Sequence, residues 1–316
     1  MKKRLTDFFL LVLILAALPL LVAVVVGLYF ARLMVNPPRA KQWGTPGDEG
    51  WEYENVHFEA SDSVPISSWF IPAPGGGHRP AVIIVHGWTW NRLGNNRSGI
   101  LACVGSSPAE LLTPARALND AGYHVLMLDL RNHGCSGSSP AVTFGHDEAN
   151  DLLGALRYLS GRDDVDANRV GVLGYSMGAN AVMFACARTK AIKAAIVVQP
   201  VRPFAFANRL ANGLLGPLGG VALNVARRMY YNAGGPLWET TDPAIVADLV
   251  SPTAIMYLQG DGDPWGDVPN VRRIYEMSKE PKALEIVPST DRLGGYLYLN
   301  EHPEVILEFF EQYLTQ

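Results

Sequence analysis

The residue with the clearest capacity for chemistry in this 316-residue chain is a serine between two glycines, in Gly174-Tyr175-Ser176-Met177-Gly178. Residues 170–173 ahead of it are apolar and read as a buried strand. Residues 179–187 behind it are small and mostly apolar and read as a buried helix. Strand, tight turn and helix around G-x-S-x-G make a nucleophile elbow. The turn strains the serine and holds its hydroxyl clear of the sheet, while the glycines let strand and helix pass closely. The chemistry this implies is attack of an alcohol on an acyl carbon. At neutral pH a serine hydroxyl is a weak nucleophile, so a base must take its proton and a carboxylate must orient that base.

The elements that would position such a group follow from the pattern of the chain. Nearly half of the residues are apolar (48%), and the length suits one large α/β domain or two small ones. Apolar strand candidates fall at 52–59, 64–71, 81–85, 123–130, 194–198, 253–258 and 283–287. Helical patterns fall at 108–121, 147–159 and 303–314, the last opened by Pro303. Strands alternating with helices imply a mostly parallel sheet covered on both faces. Residues 202–250 break the alternation and read as a cap over the site, with Phe204, Phe206, Leu210 and Leu214 beside Arg209, Arg227 and Arg228.

Residues 8–31 carry no charge. At ~1.5 Å per residue they reach about 36 Å, enough to cross a hydrocarbon core of about 30 Å. The run exceeds a signal-peptide apolar region and lacks an A-x-A cleavage site. Residues 1–34 are therefore expected to be a transmembrane anchor, 35–50 a linker and 51–316 the α/β domain. Lys2, Lys3 and Arg4 precede the span, and Arg32, Arg39 and Lys41 follow it, so charge gives little asymmetry. A short basic head before a single span behaves as a signal anchor, which places the domain outside the cytoplasm.

The formal net charge of −4 and the lack of a long basic run argue against nucleic acid as a partner. Cys103, Cys135 and Cys186 show neither C-x-x-C pairing nor metal-ligand spacing and are expected to act as small buried hydrophobes. No metal or organic cofactor is implied.

With these pieces in order, the chain from about residue 51 to the end resembles the α/β-hydrolase superfamily, and within it the small bacterial serine esterases and peptidase-like hydrolases. His86-Gly87-Trp88 ends the third strand, where that family builds its oxyanion loop. Asp129-Leu130-Arg131-Asn132-His133-Gly134-Cys135-Ser136-Gly137 resembles its D-x-R-x-H-G-x-S-G segment, and the elbow is the third match. The resemblance implies oxyanion donors at the backbone N–H groups of Trp88 and Met177. It also implies an acid at Asp263, in the G-x-x-D-P-like turn Gly260-Asp261-Gly262-Asp263-Pro264, with Asp261 as the alternative. His86 and His133 would brace their own loops; His57, His78, His124 and His146 are assigned no chemistry.

The family's histidine should follow the last strand. The residue here that most resembles that position is Arg292, and arginine stays protonated at any ordinary pH. Downstream of Asp263 only His302 remains, immediately before Pro303, where it would either complete a triad across a loop at 289–301 or merely cap the final helix. Two functions stay open. In one, Ser176, Asp263 and His302 hydrolyse an ester or related acyl bond of a small-molecule substrate, hydrophobic ones among the candidates, through an acyl-serine intermediate. In the other the triad lacks its base, the domain is a binding or scaffold module at the membrane, and Arg292 binds an anionic group.

Overall fold

Apolar residues that alternate between two buried faces build the centre of the molecule. The computed structural model describes residues 2–96 and 108–315. Cys103 lies outside the described residues. The strands are β1 (Glu54–Glu59), β2 (Pro65–Ile71), β3 (Arg79–Val85), β4 (Gly94–Asn95), β5 (Ala109–Glu110), β6 (His124–Leu128), β7 (Val165–Tyr175), β8 (Ile192–Val198), β9 (Ala254–Gly260) and β10 (Lys282–Val287). The helices are α1 (Lys2–Val35), α2 (Leu112–Asp120), α3 (Ala149–Ser160), α4 (Met177–Arg188), α5 (Pro203–Leu215), α6 (Gly219–Asn232), α7 (Val268–Met277), α8 (Arg292–Glu301) and α9 (Pro303–Leu314).

Eight strands form one sheet in the order β1-β2-β6-β3-β7-β8-β9-β10. The β1–β2 and β2–β6 pairs are antiparallel; every pair from β6 onward is parallel. In β3, Ala81, Ile83 and Val85 face the core shared with α3, α4 and α7, whereas Val82 and Ile84 face the core shared with α2, α8 and α9. This period-two division explains why such a strand reads as a continuous apolar run. At Gly171 in β7 a methyl group would come within 2.6 Å of the Phe310 ring of α9, so only glycine allows the helix to seat there.

The cap expected at 202–250 enters between β8 and β9 as α5 and α6, followed by short 3-10 turns. The Arg209–Asp267 ion pair joins it to the domain, and Arg202 Nε pairs with Asp242 at 2.6 Å within it. The Tyr230 hydroxyl donates to Val142 O at 2.7 Å. Helix α1 is long and apolar enough to cross a membrane. Its N-terminal part exposes Phe8, Phe9, Leu10, Leu15 and Leu21, while Ala23, Ala31 and Met34 near its end are buried. There α1 lies against α6: a Cβ on Gly27 would stand 2.4 Å from Ala222 O.

The segment after α1 is ordered along the domain. Val142 N donates to Met34 O (2.9 Å), and Asn91 Nδ2 to Lys41 O (3.0 Å). Arg39 Nη1 donates to the carbonyls of His133, Gly134 and Ser136, and its Nη2 to Ser138 Oγ. Cys186 is buried as expected, and burial pushes its thiol up to about 12. Cys135 is exposed, contrary to expectation, because it sits in the turn that Arg39 clamps, where only its backbone N–H is engaged, by Asp129.

Candidate active site

Ser176 is the hinge between β7 and α4. Its φ of 54° and ψ of −113° place it in a strained backbone region. Both flanking glycines are sterically required. A Cβ on Gly174 would meet Gly178 O at 2.7 Å, and one on Gly178 would meet the carbonyls of Val85 and His86 at 2.5 Å. The elbow is thus pressed against the end of β3, and Gly87 brings the following loop beside the serine, its site for a Cβ only 3.3 Å from Ser176 Cβ.

That loop is braced by two uncharged imidazoles. His86 Nε2 accepts from Leu130 N at 3.0 Å, so its Nδ1 donates to Gly87 O at 2.7 Å. His133 Nε2 accepts from Thr89 N at 3.1 Å while its Nδ1 donates to Arg131 O at 2.8 Å. Burial chiefly, then the neighbouring His133, pushes His86 down to about 3. Burial lowers His133 as well. The unfolded chain takes up these protons below about 6.5 and the folded chain refuses them. For His86 the stabilisation is therefore complete above pH 6.5 and is lost as pH falls toward 3. We expect His86 to tilt the urea midpoint downward below pH 6.5, by about 1.4 kcal/mol per pH unit relative to a variant without it. His86→Gln should remove that tilt.

The D-x-R-x-H-G-x-S-G segment supports the same wall. Asp129 accepts from Arg92 Nη2 (2.7 Å), Arg92 N (2.7 Å) and Cys135 N (2.8 Å). Gly134, at a φ of 46°, lies so close that a Cβ would collide with that carboxylate. Arg131 pairs with Asp151 and Asp62.

The groups gathered at Ser176 are Arg292, Asp263, Gln199 and Tyr296. Arg292 Nη2 donates to Ser176 Oγ at 3.0 Å and to Gln199 O at 3.3 Å, while Nη1 donates to Asp263 Oδ2. Asp263 Oδ1 accepts from the N–H groups of Trp265 (3.0 Å) and Gly266 (3.1 Å). The side chains of Arg292 and Asp263 are 6% and 0% exposed, so this is a buried pair in line with the serine. Burial opposes the guanidinium's charge, but the Asp263 carboxylate outweighs it and holds Arg292 above the usual arginine range. Such a group donates only; it cannot take a proton from Ser176. The Tyr296 hydroxyl is buried beside these groups, and burial raises its pKa too. Asp261, the alternative acid, faces away: its Oδ1 accepts from Ser289 N at 2.8 Å.

His302 is not brought to this cluster. The stretch expected as a loop at 289–301 is largely helix α8, capped by Asp291 Oδ1 accepting from Gly294 N at 2.9 Å. Arg292 opens the helix and His302 follows its last residue, ten positions on, which at ~1.5 Å per residue separates them by about 15 Å. There His302 Nδ1 bonds Glu304 Oε1 at 3.1 Å and the ring lies 4.4 Å from that of Tyr298, with the side chain 45% exposed. It does not cap α9 through its side chain either.

Trp88, Met177, Ser176 and Arg292 line one pocket with Phe144, Phe206 and Tyr296, of about 690 Å³ with its open mouth included. Met177 is the first residue of α4, where a helix leaves its N–H groups without intrahelical acceptors. Gln199, Tyr296 and Phe144 were not foreseen, whereas Trp88 and the cap's Phe206 were. The available signal was the spacing of Arg292 and Tyr296, which shares one helical face, but it required recognising α8.

Residues 82–313 match the family described as the alpha/beta hydrolase family, and the chain belongs to it. It is 26% identical to the uncharacterized protein YfhR of Salmonella typhi over 321 aligned positions, covering 96% of this chain and 97% of that one. Among solved structures it is similar to the esterase Pf2001 of Pyrococcus furiosus (TM-score 0.70, 22% identity, 89% of this chain and 98% of that one). It is also similar to the alpha/beta hydrolase GrgF of Penicillium sp. sh18 (TM-score 0.62, 19% identity, 84% of this chain and 100% of that one).

Proposed function

We propose that this protein is held in a membrane by α1 and uses its hydrolase-fold pocket to bind an amphiphile with an acidic oxygen head, a long-chain carboxylate, with little or no turnover. The observation that carries this is the Arg292–Ser176 hydrogen bond. Nη2 donates to Oγ and takes one of its two lone pairs, and a group that only donates cannot take the Ser176 proton. Ser176 O–H and the N–H groups assigned to Trp88 and Met177 then make a set of donors beside the Arg292 guanidinium, with no base among them. Donors converging at a helix N-terminus suit an anionic oxygen group. The aromatic walls suit an apolar tail.

The test is calorimetric titration of decanoate, methyl decanoate and decanol into the full chain in nanodiscs of a zwitterionic lipid. Decanoate should bind at least about tenfold more tightly than either neutral analogue, the scale of a charge-assisted hydrogen bond. Equal binding of all three would reject the reading. A serine hydrolase acting through an acyl-serine is the second reading, favoured by the strained elbow, since a turn without chemical duty has no need of it. Labelling by a fluorophosphonate that Ser176→Ala abolishes, together with ester turnover by the wild type, would establish that alternative.

A further inference from the structure

Behind the Ser176 pocket lies a second, almost wholly apolar compartment, and one of its walls is the N-terminal helix. Phe30 and Met34 of α1 face Leu210 of α5, Leu223 and Ala226 of α6, and Trp238 across about 530 Å³, open mouth included. The two spaces share Trp88, Phe144, Pro203, Phe206 and Leu210 as walls. A group seated at Arg292 and Ser176 therefore has apolar surface leading from it, between the cap helices, to the flank of α1. The α1–α6 contact at Gly27 leaves no room for a side chain, which fixes this flank in place.

We infer that this compartment is the alkyl-chain site of the same ligand, so that α1 is part of the binding site as well as an anchor. The inference rests on the carboxylate reading of the Ser176 pocket and extends it to ligand length. An alkyl chain is the occupant because the lining offers carbon surface almost everywhere. Its source is the bilayer, since the compartment borders the helix whose other surfaces are apolar and exposed, as at Val25 and Leu28. A chain entering along α1 leaves lipid for protein without crossing water.

A series of butanoate, octanoate, dodecanoate and hexadecanoate, titrated into the full chain in zwitterionic nanodiscs, tests this. Affinity corrected for each acid's partition into the bilayer should rise by up to about fourfold per buried methylene beyond the head pocket, then level off. Ala226→Phe, which fills the compartment from α6, should leave butanoate binding unchanged and bring the plateau to a shorter chain. Because that variant could disturb packing, 11-bromoundecanoate provides a second reading: its terminal bromine should quench tryptophan fluorescence, and Trp238→Phe should remove much of the quenching. Butanoate binding with no gain from longer chains, and quenching indifferent to Trp238, would overturn the alkyl site while leaving the head site standing. Failure of every acid to bind, butanoate included, would instead overturn the carboxylate reading and this inference with it.

Discussion

Arg292→His is expected to raise ester hydrolysis over the wild type by at least about 100-fold in kcat/KM on a short nitrophenyl ester. Arg292 already touches both groups that an imidazole must touch, Ser176 Oγ on one side and Asp263 on the other. The replacement puts an acceptor nitrogen in a frame whose strained serine and buried carboxylate are in place. A general base contributes roughly 10²–10⁴-fold, so the expected gain sits at the low end and allows for imperfect reach. The rate should climb as pH rises through the imidazole's pKa, near 6.5 unless its surroundings shift it, and adding Ser176→Ala should remove it. A variant that folds, binds substrate and shows no serine-dependent turnover would mean that more than the base is missing.

The second large effect is on stability. Arg292→Met should destabilise the fold by about 3–5 kcal/mol, because it strands the Asp263 carboxylate in a site with no cation. Asp263 keeps the N–H donors of Trp265 and Gly266, which places the expectation toward the lower value. For a domain of this size that corresponds to roughly 6–20 °C in Tm. The double variant Arg292→Met/Asp263→Asn removes the unpaired charge and keeps an oxygen for those two donors. It should recover most of the loss. Thermal unfolding of both variants tests the pair, and a double variant no better than the single one would show that Arg292 matters through packing instead.

Much of the frame was legible because its signals are local. Two-faced burial writes β3, β7 and β8 as apolar runs, and the glycines at 174 and 178 announce the contact that demands them. Arg292 was legible as a residue to watch because it follows β10 at the interval where the resemblance expects a histidine, and the structure brings it to Ser176 and Asp263. Its partners were not. Gly294-Gly295 are poor helix formers and disguised α8 as a loop. The structure supplies the reason for the second of them: a Cβ on Gly295 would stand 2.4 Å from Gln199 Oε1, so the helix can cross that side chain only there. Gln199 Nε2 in turn donates to Arg292 O at 2.7 Å and holds the helix start over the serine. Such a contact joins residues 93 apart in sequence and leaves no periodic trace. Asp291 was the one local clue, an N-cap residue immediately before the helix.

With α1 as the anchor proposed above, its seating against α6 also sets how deep the protein would ride. From Phe8 to Val22, both exposed, α1 rises about 21 Å before its first buried residue, Ala23, among those described, short of the about 30 Å that a hydrocarbon core requires. A helix that crosses must then immerse its last turns together with the α6 backbone beside them. Leu214, 54% exposed on the cap just before the turn that meets α1, would dip into the lipid surface, and the domain would float half-sunken instead of standing off on a stalk.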